Sequence, residues 1–322
     1  MKHNFRLFIT LSLVLWVSCE DEKEEDYIQS HSNNRISSLL MTSNEYNDWV
    51  ENDGFSNSNT RTPIIQKVYE NFPDKYDFIF LILNEEDIPP TLSYYGKLIG
   101  VSNSVQGVGM IDFDYTSDYG SEGKLKAVMQ LTGLEYLQYG PALHELAHQW
   151  ANYALETHNV NELGSNISSY PYWGHWGYTG GSTPGQLGGF EQSSLIENGN
   201  NSYTVGYFGP FANGGNGQPY NELELYLMGM LPISSVTPFD MFTDITSLAI
   251  DTLTYNLIFT ANRISYTPES LENLLGERIP SVDNSQKDFK ILVMVLTDTP
   301  LSDNEWDRVD ATAEWFSKKE DD

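Results

Sequence analysis

The chain has 322 residues, 13% of them aromatic and 40% hydrophobic, enough for a sizeable core in one large domain or two small ones. Its formal net charge of −28 repels phosphate backbones and anionic lipid, which excludes nucleic acid and a bare membrane surface as partners. It has one cysteine, which excludes an intrachain disulfide.

Residues 1–18 read as an export leader. Lys2 and Arg6 make a basic start, and the apolar run over 7–17 is too short to span a bilayer as a helix. Removal of the leader takes the charge to −30, because it carries those two basic residues and no acidic one. Cys19 follows directly and resembles the lipidation site of bacterial lipoproteins. The acidic run over 20–26 is a self-repelling, solvated segment that would hold a domain off an anionic membrane. It is similar to the tether that sends some lipoproteins of Gram-negative bacteria to the outer cell surface. These features imply an exported protein of the outer membrane or cell surface, held there only by lipid at Cys19, with free secretion as the alternative. No other segment is long and apolar enough to cross a membrane.

Residues 19–60 are polar, rich in Asn, Ser and Glu, and read as a tether with a short helical pattern over 44–52. The folded domain is expected over 61–322, starting near Thr62 and Pro63 with a helix over 64–71. The run over 77–83 is too short and too rich in β formers for a helix and reads as a buried strand. Further strands are expected over 98–101, 107–113 and 125–131, the last of them flanking an active-site cleft. A helix is expected over 141–156, with Pro141 in its first turn and an apolar face of Leu143, Leu146, Ala147, Trp150 and Ala151.

This helix carries the most informative stretch of the chain, His144-Glu145-Leu146-Ala147-His148. Positions four apart share a helix face, so the two imidazoles converge on one point. Glu145 stands one step round, where a base must be to take a proton from water held at a metal. The pattern reads as a metallohydrolase, most often a peptidase. The chain has six histidines, of which His3 lies in the leader and His31 in the polar linker. His158 is ten residues past His148, about 15 Å along an unbroken helix and out of reach of a zinc bond. His175 follows a segment that reads as a loop able to fold back over the helix, so it is the favoured third ligand. Glu224 is the rival, because it lies between two Leu residues where an unpaired charge is costly. It could bind the metal or orient His148 through a hydrogen bond. Glu222 is the weaker alternative.

Residues 160–220 are rich in Gly, Asn, Ser, Tyr and Trp and show little periodicity, so they read as a long loop region forming the cleft wall. Trp173, Trp176 and Tyr178 are its candidate contact surfaces. The stretch over 213–217 lacks acidic residues and reads as a turn, not a calcium loop. A second buried strand is expected over 292–296. Ser302 or Asp303 then caps a last helix containing Trp306, Val309, Ala313 and Trp315. There is no internal repeat.

The metzincin peptidases carry HExxHxxGxxH, and this chain departs from that pattern with Ala151 at the glycine and Ala154 at the third histidine. Gluzincin peptidases take a Glu from a later helix as third ligand, and Glu224 would be the matching residue. The chain most resembles a bacterial group of secreted HExxH zinc metallopeptidases, over roughly residues 75–318. The resemblance rests on HExxH followed by Gln149-Trp150, on His175-Trp176 in a Gly-rich segment, and on the block over 223–230 followed by Pro232 and Val236. The run over 292–298 with its trailing helix is also similar, and Met228 invites comparison with the Met-containing turn beneath metzincin zinc sites.

The resemblance implies an α+β, zincin-like fold with a mixed or antiparallel sheet, an active-site helix and a helical, loop-rich C-terminal part. It implies Zn2+ as cofactor, His175 and Glu224 near the metal, and a protein or peptide substrate. The mechanism so implied is hydrolysis with Glu145 as base, with Tyr178 or Tyr226 as candidates to steady the developing oxyanion. Two other classes stay open: a non-catalytic surface protein binding a glycan or peptide, and a zinc-dependent amidase acting on small molecules.

Overall fold

The computed structural model describes residues 27–31, 33–155, 175–208 and 215–318. The leader, Cys19, the acidic run, His158, Trp173, and Asn213 with Gly214 lie outside the described residues.

Folding starts earlier than expected. β1 (Ile28–Ser30) and β2 (Ile36–Leu40) pair antiparallel. α1 (Ser43–Glu51) follows behind a capping box: Thr42 Oγ1 accepts from the Glu45 N–H, and the Glu45 carboxylate accepts from the Thr42 N–H. The segment assigned to a tether reaching residue 60 therefore belongs to the domain from residue 27 onward. Its polar average hides a few apolar side chains at the right spacing: Ile36, Leu39, Met41, Tyr46 and Trp49 are all buried.

α2 (Ser58–Asn71) leads to β3 (Phe78–Leu83), β4 (Gly96–Gly100), β5 (Ser102–Asn103), β6 (Phe113–Asp114) and β7 (Ala127–Leu131). The strand expected over 107–113 is reduced to its last residue. Gly107 and Gly109 adopt φ of 73° and 76°, outside the β region, so the chain turns there. Next come α3 (Tyr136–Tyr139) and α4 (Ala142–Ala151), the motif helix. β8 (Gly177–Gly181), β9 (Gly188–Glu191), β10 (Ile196–Gly199) and β11 (Ser202–Val205) lie in the segment expected to be irregular. Their glycines weaken strand propensity, and their partners come from far downstream, so local pattern could not reveal them. α5 (Glu222–Leu227), β12 (Phe239–Ile250), β13 (Leu257–Tyr266), α6 (Pro268–Leu275), β14 (Ile291–Thr297) and α7 (Asp303–Ser317) complete the described chain.

Among the described residues the strands form two six-stranded sheets and a small two-stranded one. The first runs β1-β2-β14-β3-β7-β4, parallel from β2 through β7, with an antiparallel strand at each edge. β3 alternates across it: Phe78, Phe80 and Ile82 enter the core that also holds Ala147 and Trp150 of α4, while Ile79, Leu81 and Leu83 enter the core under α1 and α2. Both faces are covered, and the strand is therefore apolar throughout. The second sheet runs β10-β11-β13-β12-β8-β9, with a ring-rich core of its own. The chain is thus α+β with mixed sheets.

Candidate metal centre

α4 begins where Asn216 reaches across from the Gly-rich turn. Its Oδ1 accepts the Leu143 N–H at 2.8 Å, and its Nδ2 donates to the carbonyls of Leu137 and Gln138. That ties the helix start to α3 and satisfies an N–H group with no partner inside the helix. Trp150 anchors the other end, its ring packed 6.1 Å from Phe78 and 5.4 Å from Phe289. The helix is thereby held against the sheet.

His175 arrives from the segment before β8. Trp176, fully buried, pins it by donating its N–H to the Leu187 carbonyl at 2.6 Å. His144 Nε2 then lies 3.1 Å from His175 Nε2 and 3.2 Å from His148 Nε2. The three imidazoles form one cluster that could hold a metal ion. Tetrahedral zinc with bonds of about 2.0–2.1 Å would space its nitrogen ligands by about 3.3 Å, close to this arrangement.

The outer nitrogens decide what the inner ones can be. His144 Nδ1 lies 2.7 Å from the Gln186 carbonyl, and His148 Nδ1 lies 2.7 Å from Asn152 Oδ1. Both oxygens only accept, so both Nδ1 atoms carry the proton and both Nε2 atoms present lone pairs. Two lone pairs 3.2 Å apart repel, and a cation between them removes the conflict. Burial keeps the rings neutral. It lowers His144 to about 3, with His175 adding to the effect, and it lowers His148 well below the usual range, with His144 and His175 adding. It lowers His175 as well.

Glu145 is buried against β4. A Cβ on Gly96 would stand 2.7 Å from Glu145 Cγ and 2.9 Å from Pro141 Cγ, so only glycine lets helix and strand approach this closely. Burial raises the Glu145 carboxyl to about 8, against a backbone hydrogen bond from Leu98 and the charge of Lys97. The strand beside the site is therefore β4, at the sheet edge. β7, expected in that role, lies one place further in, between β3 and β4.

Glu224 is not among the converging ligand atoms. Its carboxylate accepts three backbone N–H groups, from Gln186 at 3.1 Å, Leu187 at 2.7 Å and Asn221 at 2.9 Å. Burial raises it to about 7 while those bonds act to lower it. Its part is one step removed, since it holds the segment whose carbonyl holds His144. Glu222 bonds Ser182 instead.

Trp176 and Tyr178, expected as contact surfaces, are fully buried. Tyr178 packs against Phe208 and Phe259 in the core of the second sheet, and Tyr226 sits in the core beneath α4. Neither expected oxyanion partner lines the cleft beside His148. Met228 caps the end of α5 in that same core.

A cleft of about 510 Å³ opens beside His148, between β4 and the 109–115 segment, lined by Leu98, Met110, Phe113, Gln149 and Asn152 among others. Sequence reasoning missed Gln186, Asn152 and Gly96. Asn152 lies four residues past His148, a spacing that could have flagged it. Gln186 acts through its carbonyl and leaves no side-chain signature.

Comparison with protein-family models, with curated proteins and with solved structures finds no match to this chain. Fold and site together define an α+β protein with a buried three-histidine cluster able to hold a metal ion.

Proposed function

We propose that the protein is a zinc-dependent peptidase. The observation that carries this reading is the pair of inward lone pairs on His144 and His148, fixed by Gln186 and Asn152, with Glu145 on the same helix. Three neutral imidazoles suit zinc, and three protein ligands leave a fourth position open for chemistry. When bound, zinc would supply the Lewis acidity that polarises a scissile carbonyl and makes water at the site more acidic.

The chain's own residues do the rest. Glu145 accepts a proton from the attacking water and returns it to the leaving amine. A carboxyl raised to about 8 without metal is a proton acceptor of suitable strength once a cation stands beside it. β4 is an edge strand next to Glu145, so its outer backbone groups can align an extended chain. This edge favours a peptide over a small amide. The alternative of a binding module drew on surface rings, and two of those rings, Trp176 and Tyr178, are core residues. Export and lipid attachment at Cys19 remain part of the proposal, resting on the leader. No helix among the described residues is long and apolar enough to cross a membrane.

The test is Glu145→Gln. The variant should bind zinc as the wild type does and lose about 10²–10⁴-fold in chelator-sensitive casein hydrolysis. Full turnover in that variant would remove Glu145 from the role of base.

A further inference from the structure

We propose that the cleft beside His148 selects tyrosine or tryptophan at a residue flanking the scissile bond, and that Gln149 Oε1 reads the ring-borne donor. The inference rests on the peptidase reading above and adds the side chain the site prefers.

Gln149 is only 4% exposed, yet it lines this cleft. Its Nε2 donates to the Ser102 carbonyl at 2.9 Å. A carbonyl only accepts, so the amide must present its nitrogen there and its oxygen elsewhere. That oxygen is buried and has no hydrogen-bond partner among the described residues. Leaving such an acceptor unpaired is costly, so a ligand that satisfies it gains accordingly.

The surroundings narrow what that ligand is. Leu98, Met110 and Phe113 make the walls apolar. Gly100 borders the oxygen: a Cβ there would stand 4.0 Å from Gln149 Oε1 and 3.2 Å from the Phe113 ring. The Asn152 oxygen already accepts from His148 Nδ1, whereas the Gln149 oxygen has no donor among the described residues. His148 itself forms part of the wall, and a side chain in the cleft therefore lies next to the metal centre.

The complement of apolar walls with one buried acceptor is an aromatic ring with a donor on its edge. A phenol O–H or an indole N–H meets this description. Phenylalanine or leucine would fill the walls and leave the acceptor unpaired. Lysine would carry an ammonium group past apolar walls to a single partner.

The test uses the zinc-loaded mature protein and internally quenched peptides that differ only in Tyr, Trp, Phe or Leu beside the cleaved bond. Tyr and Trp peptides should exceed the Phe peptide by about tenfold or more in kcat/KM. In Gln149→Met the Tyr-to-Phe ratio should fall toward one. A merely structural role for Gln149 would slow both peptides alike and leave the ratio where it was, which would overturn the inference.

Binding of N-acetyltyrosinamide against N-acetylphenylalaninamide, by calorimetry, needs no turnover. Cleavage without preference for Tyr or Trp over Phe in the wild type overturns the inference and leaves the peptidase reading intact. Preferential binding of the tyrosine amide without cleavage of any peptide keeps the recognition chemistry and overturns the peptidase reading. Absence of both overturns both.

Discussion

Gln186 holds the ring of His144 with its backbone alone. Its carbonyl accepts the Nδ1–H over 2.7 Å, and its N–H is in turn taken by Glu224 Oε2 at 3.1 Å. A carboxylate outside the three-histidine cluster thus orients one of its imidazoles through the backbone of one residue. Partners of this kind typically change metal affinity by about 10–100-fold. Glu224→Gln should therefore weaken zinc binding within that range and still reach full stoichiometry at saturating metal, as read by calorimetric titration. Loss of binding at every concentration would make Glu224 a ligand instead.

Gly96 governs how closely α4 approaches β4. The Cβ of Gly96→Ala would fall 2.7 Å from Glu145 Cγ and 2.9 Å from Pro141 Cγ, with the helix start on one side and the strand backbone on the other. Overpacking of this sort costs about 1–3 kcal/mol. The variant should show a lowered Tm and reduced peptide turnover while still binding zinc, because the atoms a Cβ on Gly96 would meet belong to Glu145 and Pro141 and to none of the three histidines. Unchanged turnover would show that the position of Glu145 against β4 does not matter to the reaction.

Asp240 ties the segment carrying His175 and Gln186 to the second sheet. Its carboxylate accepts from Arg263 Nε and Nη2 at 2.8 Å each and from Gln192 Nε2 at 2.7 Å, and Gln192 follows β9 directly. Burial acts to raise the Asp240 carboxyl, but Arg263, Ser265 and Gln192 overcome it and hold the group below its ordinary 3.8. A carboxyl depressed in the folded state adds stability above its unfolded value, and that stability is lost as pH falls through the folded value. Asp240→Asn should therefore lower Tm at pH 7, and its gap from the wild type should narrow below about pH 3.8. A gap that is the same at pH 7 and at pH 3 would contradict the assigned ion pair.

Much of the site was legible because its logic is local. The spacing of His144 and His148 needs only helix geometry, and His175 emerged by elimination among six histidines. The apolar runs that became β3 and β14 were also plain, being covered on both faces. What escaped depends on partners distant in the chain. Ile36 and Leu39 are buried because β14 pairs with β2 more than 250 residues later. The glycine-rich β8 is a strand because β12 meets it at Thr179, opposite Met241. Glu224 is the buried charge in need of a partner that its flanking Leu residues imply, but three backbone N–H groups satisfy it, and backbone partners leave no trace in side-chain identity.

Everything proposed for the site requires that three imidazoles close around one cation. The most direct measurement of that closure is the metal content of purified wild-type protein beside His175→Ala, by elemental analysis after equilibration with zinc and removal of excess. One zinc ion per chain is expected in the wild type, and its loss in the variant. A wild type that stays metal-free, or a variant that keeps its zinc, would contradict it.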